Sequence, residues 1–160
     1  MNINAKTVPN FEIKKRHGFS GADWWWVVDL FCEPCGHTVV LTEKSPNPRC
    51  PTCHSLLEHQ DRLEVRVAAE LTDWRARAAL QVHEITEALF CKHLGITVKQ
   101  VDDYDAKFEA EHPEDGTTNV GDRPDCPYRV PHNYATAAER IVTGVLDVSW
   151  QEYDDRLADL

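Results

Sequence analysis

Two cysteine pairs constrain this chain more than any other feature of its 160 residues. Cys32-Glu33-Pro34-Cys35 and Cys50-Pro51-Thr52-Cys53 are each of the form C-x-x-C. Such a pair folds into a tight knuckle whose turning backbone aims both sulfurs at one point. Two knuckles supply the four soft ligands that a tetrahedral zinc ion prefers. Gly36, directly after the first pair, suits the positive φ that a knuckle often needs. The N-terminus, MNINAKTVPNFEIKK, lacks the apolar core of a signal peptide. In a chain without one, paired cysteines point to metal rather than to disulfides. Cys91 and Cys126 stand outside the pattern, and Cys91, on the same helix as Glu84, reads as a small core residue.

The flanks predict how this module is carried. Trp24 to Phe31 is rich in aromatic and β-branched residues and reads as a strand, with the three tryptophans as core residues more than as a stacking platform. Leu63-Glu64-Val65-Arg66-Val67-Ala68 alternates apolar and polar residues and reads as a half-buried strand. The two strands can pair as an elongated hairpin with the cysteine module at its tip. Thr38 to Thr42 would cross the module as a further strand. With all four ligand positions matched, the segment 32–62 resembles a zinc ribbon. The resemblance implies a structural zinc, since four thiolates leave no coordination position open, and leaves His37 and His54 as spare neighbours. From Cys32 to Arg62 there are three Lys or Arg against four Asp or Glu, so the module lacks the positive face of a nucleic-acid-binding ribbon. Ahead of it, 11–16 reads as a short strand and 18–21 as a turn.

The rest of the chain reads as helices. Residues 71–95 form one long helix, with Thr72 or Asp73 to cap it and Gly95 to end it. Residues 96–109 follow as a second helix, with Val98, Val101, Tyr104 and Phe108 at helical spacing. The stretch 111–131 carries four Pro and two Gly and reads as a long loop, of the kind that serves as a lid or is mobile. A last long helix runs from His132 or Asn133 to Leu146. Its core face is expected from Tyr134, Ala138, Ile141, Val142 and Val145, beside a stripe of His132, Ala135, Glu139 and Val142. A short amphipathic segment around Trp150, Tyr153 and Leu157 ends the chain. The expected architecture is α+β: N-terminal strands in 1–31, the ribbon in 32–62, and a helical core in 63–160.

Within the long helix, His83-Glu84-Ile85-Thr86-Glu87 concentrates the chemistry. His83 and Glu87 are four apart and point the same way from consecutive turns. Ionisable groups on an otherwise apolar stripe must be paired, or bound to something. The order matches the metallopeptidase signature H-E-x-x-H, in which two ligands flank a general base, except that Glu87 replaces the second His. A carboxylate is a competent zinc ligand and shifts preference toward Mn²⁺ or Fe²⁺. His132 or Glu139 would complete the set, and Glu84 would stand beside it as base.

The strand 63–68, a short turn and a helix carrying His-Glu resemble the compact zincin core. That resemblance implies a completing glutamate on a later helix, a place Glu139 fits. The sequence is also similar to small uncharacterised bacteriophage proteins over about residues 60–155, through His83-Glu84-Ile85-Thr86-Glu87-Ala88-Leu89, Pro127-Tyr128 and His132 to Arg140. That family brings no activity with it. A bacteriophage origin would place the chain in the host cytoplasm, and the cytoplasm is the expected location in any case.

Three functions follow. The first is a metal-dependent, peptidase-like hydrolase with a structural zinc and a second divalent ion (Zn, Mn or Fe). The second is a non-enzymatic adaptor whose ribbon contacts a protein or nucleic acid, with His83 and Glu87 merely paired. The third is a Mg²⁺-dependent nucleotide pyrophosphohydrolase, using Glu84-x-x-Glu87 with Asp102-x-x-Asp105. A net charge of −10, with fifteen Asp or Glu against five Lys or Arg from Asp102 onward, disfavours nucleic acid and anionic membrane as partners. An unidentified protein or peptide remains the expected partner. No run of eighteen apolar residues predicts a membrane span.

Overall fold

In a computed structural model, residues 2–16, 21–39, 48–113 and 119–160 are described. The fold is α+β, as expected, with a small curled sheet and a larger helical part. Among the described residues the elements are β1 Asn2–Val8, α1 Asn10–Ile13, β2 Ala22–Cys32, β3 His37–Val39, β4 Glu58–Ala68, α2 Trp74–Leu94, α3 Val98–Glu111, α4 Arg129–Val145 and α5 Trp150–Ala158, with a 3-10 turn at Val120–Asp122. The sheet order is β1-β4-β2-β3. The two strands expected to flank the cysteine module are thus sheet neighbours. β3 pairs antiparallel with β2, Leu30 opposite Val39 and Cys32 opposite His37. The continuation of β3 expected through Thr42 lies outside the described residues from position 40 on, as do 18–20 of the expected turn.

The chain divides into two compact units: Met1–Asn4 with Trp26–Glu64, and Ala5–Trp25 with Val65–Leu160. In the first, Cys32, Val39, Cys50 and Leu57 form a small buried cluster. Arg62 pairs with Asp29 at 2.6 Å and with Glu64. Asn4 donates to the same Glu64 carboxylate at 2.8 Å. The second unit holds the helices. Val65 and Val67 of β4 are fully buried there, while Glu64, expected on the exposed face of a half-buried strand, is buried too, within the first unit.

The long helix forms as its sequence dictates. Asp73 caps α2 by accepting from the Arg75 amide, and Gly95 closes it in the left-handed region at φ 73°. Thr97 and Gln100 make a reciprocal capping box that starts α3. Ser149 caps α5, whose Tyr153 is fully buried.

Three expectations are corrected. The strand at 11–16 is instead the short helix α1 and a turn. Pro9 supplies a preset φ of −56° at its N-cap, and the Glu12 amide donates to the Pro9 carbonyl at 2.9 Å. The N-terminal strand is β1, which exposes every residue but Val8 and so carries no alternation to read. α4 begins at Arg129, ahead of Pro131, because the first-turn amides of a helix have no intrahelical partner and proline gives up nothing there. The expected long loop 111–131 is shortened further by α3 reaching Glu111 and by the 3-10 turn; its residues 114–118 lie outside the described residues.

The third correction concerns which face of α4 is inside. Tyr134, Ile141 and Val145, read as core, are exposed, and the buried residues are Pro131, His132, Ala135, Glu139 and Thr143. α4 packs along α2, and α2 turns His83, Glu84 and Glu87 inward. Buried ionisable groups need hydrogen-bonding partners, and leaving them unmet costs more than exposing a few aliphatic side chains. α4 therefore presents its polar stripe to α2. Among the described residues, no helix is long and apolar enough to cross a membrane.

Candidate functional site

The four paired cysteines converge. Sγ of Cys32 lies 3.4 Å from Sγ of Cys53, and Sγ of Cys35 lies 3.9 Å from Sγ of Cys50. A tetrahedron of sulfurs about 2.3 Å from a central zinc has edges of about 3.8 Å, so these separations fit one ion. Both knuckles are built alike. The Gly36 amide donates to the Cys32 carbonyl at 2.8 Å, and the His54 amide to the Cys50 carbonyl at 2.9 Å. Each knuckle closes on a left-handed residue, Gly36 at φ 66° and His54 at φ 61°. The second is braced by a one-bridge hairpin between Arg49 and Leu56. The Cys53 thiol is pulled down to about 6 by hydrogen bonds from Ser55, side chain and backbone. The Cys50 thiol is lowered chiefly by the Cys53 amide, whereas burial raises Cys32 and the neighbouring Cys53 thiol pushes Cys35 up to about 12. Amides aimed at sulfur favour the thiolate, the form that binds metal. His37 and His54 stand outside this cluster.

In the second unit, α2 and α4 bring His83, Glu87 and His132 together, each able to offer a donor atom within 4.8 Å of the others. All three are buried. Glu87 is the pivot. Its Oε1 accepts from the Trp24 indole N–H at 3.0 Å, which turns Oε2 toward both imidazoles. That oxygen lies 3.0 Å from His132 Nδ1 and 3.6 Å from His83 Nε2.

Glu139 does not join the three as a ligand. It sits behind His83, 2.9 Å from Nδ1, and the Tyr153 hydroxyl donates to its other oxygen. This orients the ring with Nδ1 on Glu139 and Nε2 toward Glu87. A metal taking Nε2 would displace its proton and leave Nδ1–H on Glu139, the arrangement of a metal-ligating histidine with its carboxylate partner. His132 has a comparable neighbour. Its Nε2 is buried without a hydrogen bond among the described residues, and Asp122 lies 3.6 Å from it. The Gly121 backbone lies against the same ring, and a Cβ there would stand 2.3 Å from the imidazole Cγ.

Electrostatics follow from this crowding. Burial opposes charge on His83, yet hydrogen bonds to Glu139 and Glu87 hold its pKa well above the usual value. Burial would raise Glu87, but the bonds from His132 and His83 pull it down to about 2. Glu84 is raised well above the ordinary carboxylate range, first by burial. No hydrogen bond reaches its carboxyl among the described residues. Asp105 is raised to about 7, again by burial, against the bond it accepts from Tyr128 at 2.6 Å.

These groups line a cavity of about 500 Å³ in the second unit. Its wall includes Asp23, Glu84, Glu87, Asp102, Asp105, Glu109, Glu139 and Asp154, against Arg16, His83 and His132. Asp23 is held by Arg66 at 2.5 Å, and Asp102 by Arg16 at 2.8 Å.

Of the candidate site residues, Cys32, Cys35, Cys50 and Cys53 come together in one cluster and His83, Glu87 and His132 in the other, with Glu84 and Glu139 lining the same cavity as the second. The donor set of the second, two imidazoles and one carboxylate held by further carboxylates, fits a divalent transition ion. Trp24, Tyr153, Asp122 and Gly121 carry no signal in the sequence that would place them here. Trp24 is indistinguishable from its neighbours in a tryptophan run, and the others are brought in only by tertiary packing. Compared with known proteins, the chain matches no family model, no curated protein and no solved structure.

Proposed function

We propose that this protein is a metal-dependent hydrolase of amide or ester bonds, stabilised by a separate structural zinc at Cys32, Cys35, Cys50 and Cys53. The observation that carries the reading is the convergence of His83, Glu87 and His132 in a cavity wall, with Glu84 next to them. Two histidines and one glutamate are also the donors of zincin-type peptidases. Here the helix supplies His and Glu, and a later helix supplies the second His, so the inventory is kept while two positions exchange. Glu139 takes the outer role, orienting His83.

His83, Glu87 and His132 would hold a divalent ion, which would supply Lewis acidity at the carbonyl under attack. Glu84, which accepts no hydrogen bond among the described residues, would be ionised once a bound cation offsets the burial that raises it. It would then take the proton from the attacking water and return it to the leaving group. Trp24 and Glu139 keep Glu87 and His83 in position, so little reorganisation is needed when substrate enters. The four-thiolate site leaves no open position and contributes stability only.

The pyrophosphohydrolase reading has one observation in its favour: Glu84, Glu87, Asp102 and Asp105 do line the same cavity. Against it, Arg16 already engages Asp102, and buried imidazole donors suit transition ions better than Mg²⁺.

The test is turnover of quenched fluorescent peptides and aryl esters by protein loaded with Zn²⁺ or Mn²⁺, wild type beside Glu84→Gln. The proposal expects Glu84→Gln to keep its metal while losing about 10²–10⁴-fold in rate. Equal rates in the two proteins, or hydrolysis of nucleoside triphosphates with Mg²⁺ alone, would overturn it.

A further inference from the structure

α4 is folded with its apolar side outward. Val130, Tyr134, Ile141 and Val145 expose 55%, 57%, 67% and 78% of their surface, and Ala137 between them is exposed as well. The Tyr134 ring is steadied by stacking on Phe90 of α2 at 4.9 Å. Arg140, beside Ile141 in sequence, rests on the Trp150 ring at 4.4 Å, and Arg129 lies at the first position of the helix beside Val130. The one acidic residue of the helix, Glu139, is buried on the other side.

We propose that this stripe is the contact surface of a two-fold homodimer in which α4 packs antiparallel against α4 of a second copy. Three observations point to a second copy rather than to another partner. The first is self-complementarity. The stripe reads large, large, small, large, large, and it is symmetric about the junction of Ala137 and Ala138. An antiparallel pair crossing there sets Val130 opposite Val145 of the second copy and Tyr134 opposite Ile141, with alanine meeting alanine at the axis. A two-fold interface requires that residue i meet j while j meets i. Alanines at the crossing let the helices approach closely, and the spacing of four, three, four and four residues suits the shallow crossing of packed helices.

The second is charge. Each copy carries a net charge of −10, so most approaches bring carboxylates together. This helix face exposes none, so two copies can meet there without that repulsion. The third is area. Side chains of these sizes at these exposures leave roughly 500 Å² of apolar surface per chain. Two copies then cover about 1,000 Å² in all, the lower bound of a specific interface. A dimer of modest affinity follows.

Sedimentation equilibrium over roughly 1–200 μM protein tests this, with Ile141→Glu and Val145→Glu beside the wild type. The wild-type mass should rise toward twice that of the chain with concentration. Each variant should stay at the single-chain mass, with an unchanged helical circular dichroism spectrum. Val145 is the most exposed of the four, so its replacement leaves the fold intact should Ile141→Glu disturb it. A wild type that is monomeric throughout overturns the proposal, as does dimerisation of Val145→Glu equal to that of the wild type.

Discussion

Glu139 holds Nδ1 of His83 at 2.9 Å from across the α2–α4 contact, and this decides which nitrogen of the histidine is free to bind. With Nδ1 committed as a donor, Nε2 faces Glu87. Glu139 is thus a positioning residue, seven positions from His132 on the same helix and doing a different task. Replacing it with Gln keeps the shape but allows the amide to present its N–H₂ to the ring, which favours the wrong tautomer. Glu139→Gln should weaken metal binding at this site by about 10–100-fold while the four-cysteine site keeps its full complement. Competition titration with a chromophoric chelator measures it, and unchanged affinity would remove Glu139 from the account.

The four-cysteine site makes a different prediction. The first unit has a small buried cluster in which two of the four apolar members are themselves ligands, Cys32 and Cys50. So small a core would be held mainly by a metal bound at the four cysteines. Cys50→Ser should release one zinc per chain and abolish protection of the β3 and 48–57 amides against hydrogen exchange. The amides of α2 and α4 should stay protected. Loss of protection throughout the chain would show instead that the zinc holds the whole molecule.

Asp105 gives the pH dependence. Its carboxyl titrates near 7 in the folded chain, raised by burial, against an ordinary value near 3.9 when unfolded. The native state therefore binds the proton more tightly, and stability is lost as pH rises from about 4 to about 7. Asp105→Asn removes that loss and still accepts from the Tyr128 hydroxyl. The variant should melt a few degrees above the wild type at pH 8, with the gap closing at pH 4. A gap of the same size at both pH values would contradict this.

How far these features were legible depended on whether the determinant was local. The cysteine knuckles are set by four residues and a turn, so C-x-x-C spacing and Gly36 sufficed; only His54 in the left-handed region was unforeseen. α2 was legible end to end because Asp73 and Gly95 are local signals. His83, Glu87 and His132 were legible as candidates, since ionisable residues at helical spacing stand out from an apolar stripe. Their division of labour was not. Whether His132 or Glu139 joins the cluster depends on the register of α4 against α2, which no local signal encodes. The outward face of α4 was misread for a related reason. Periodicity identifies two faces of a helix but does not say which one lies inward. The partner helix decided it, because α2 had ionisable groups to satisfy.

The central claim is that His83, Glu87 and His132 bind a metal ion distinct from the one held by the four cysteines. Elemental analysis of purified protein, wild type beside His83→Ala, tests it most directly. The account predicts two metal ions per chain in the wild type and one, zinc, in the variant. One ion per chain in both proteins would leave the four-cysteine site alone, and the helix cluster would be no more than a buried hydrogen-bonded network.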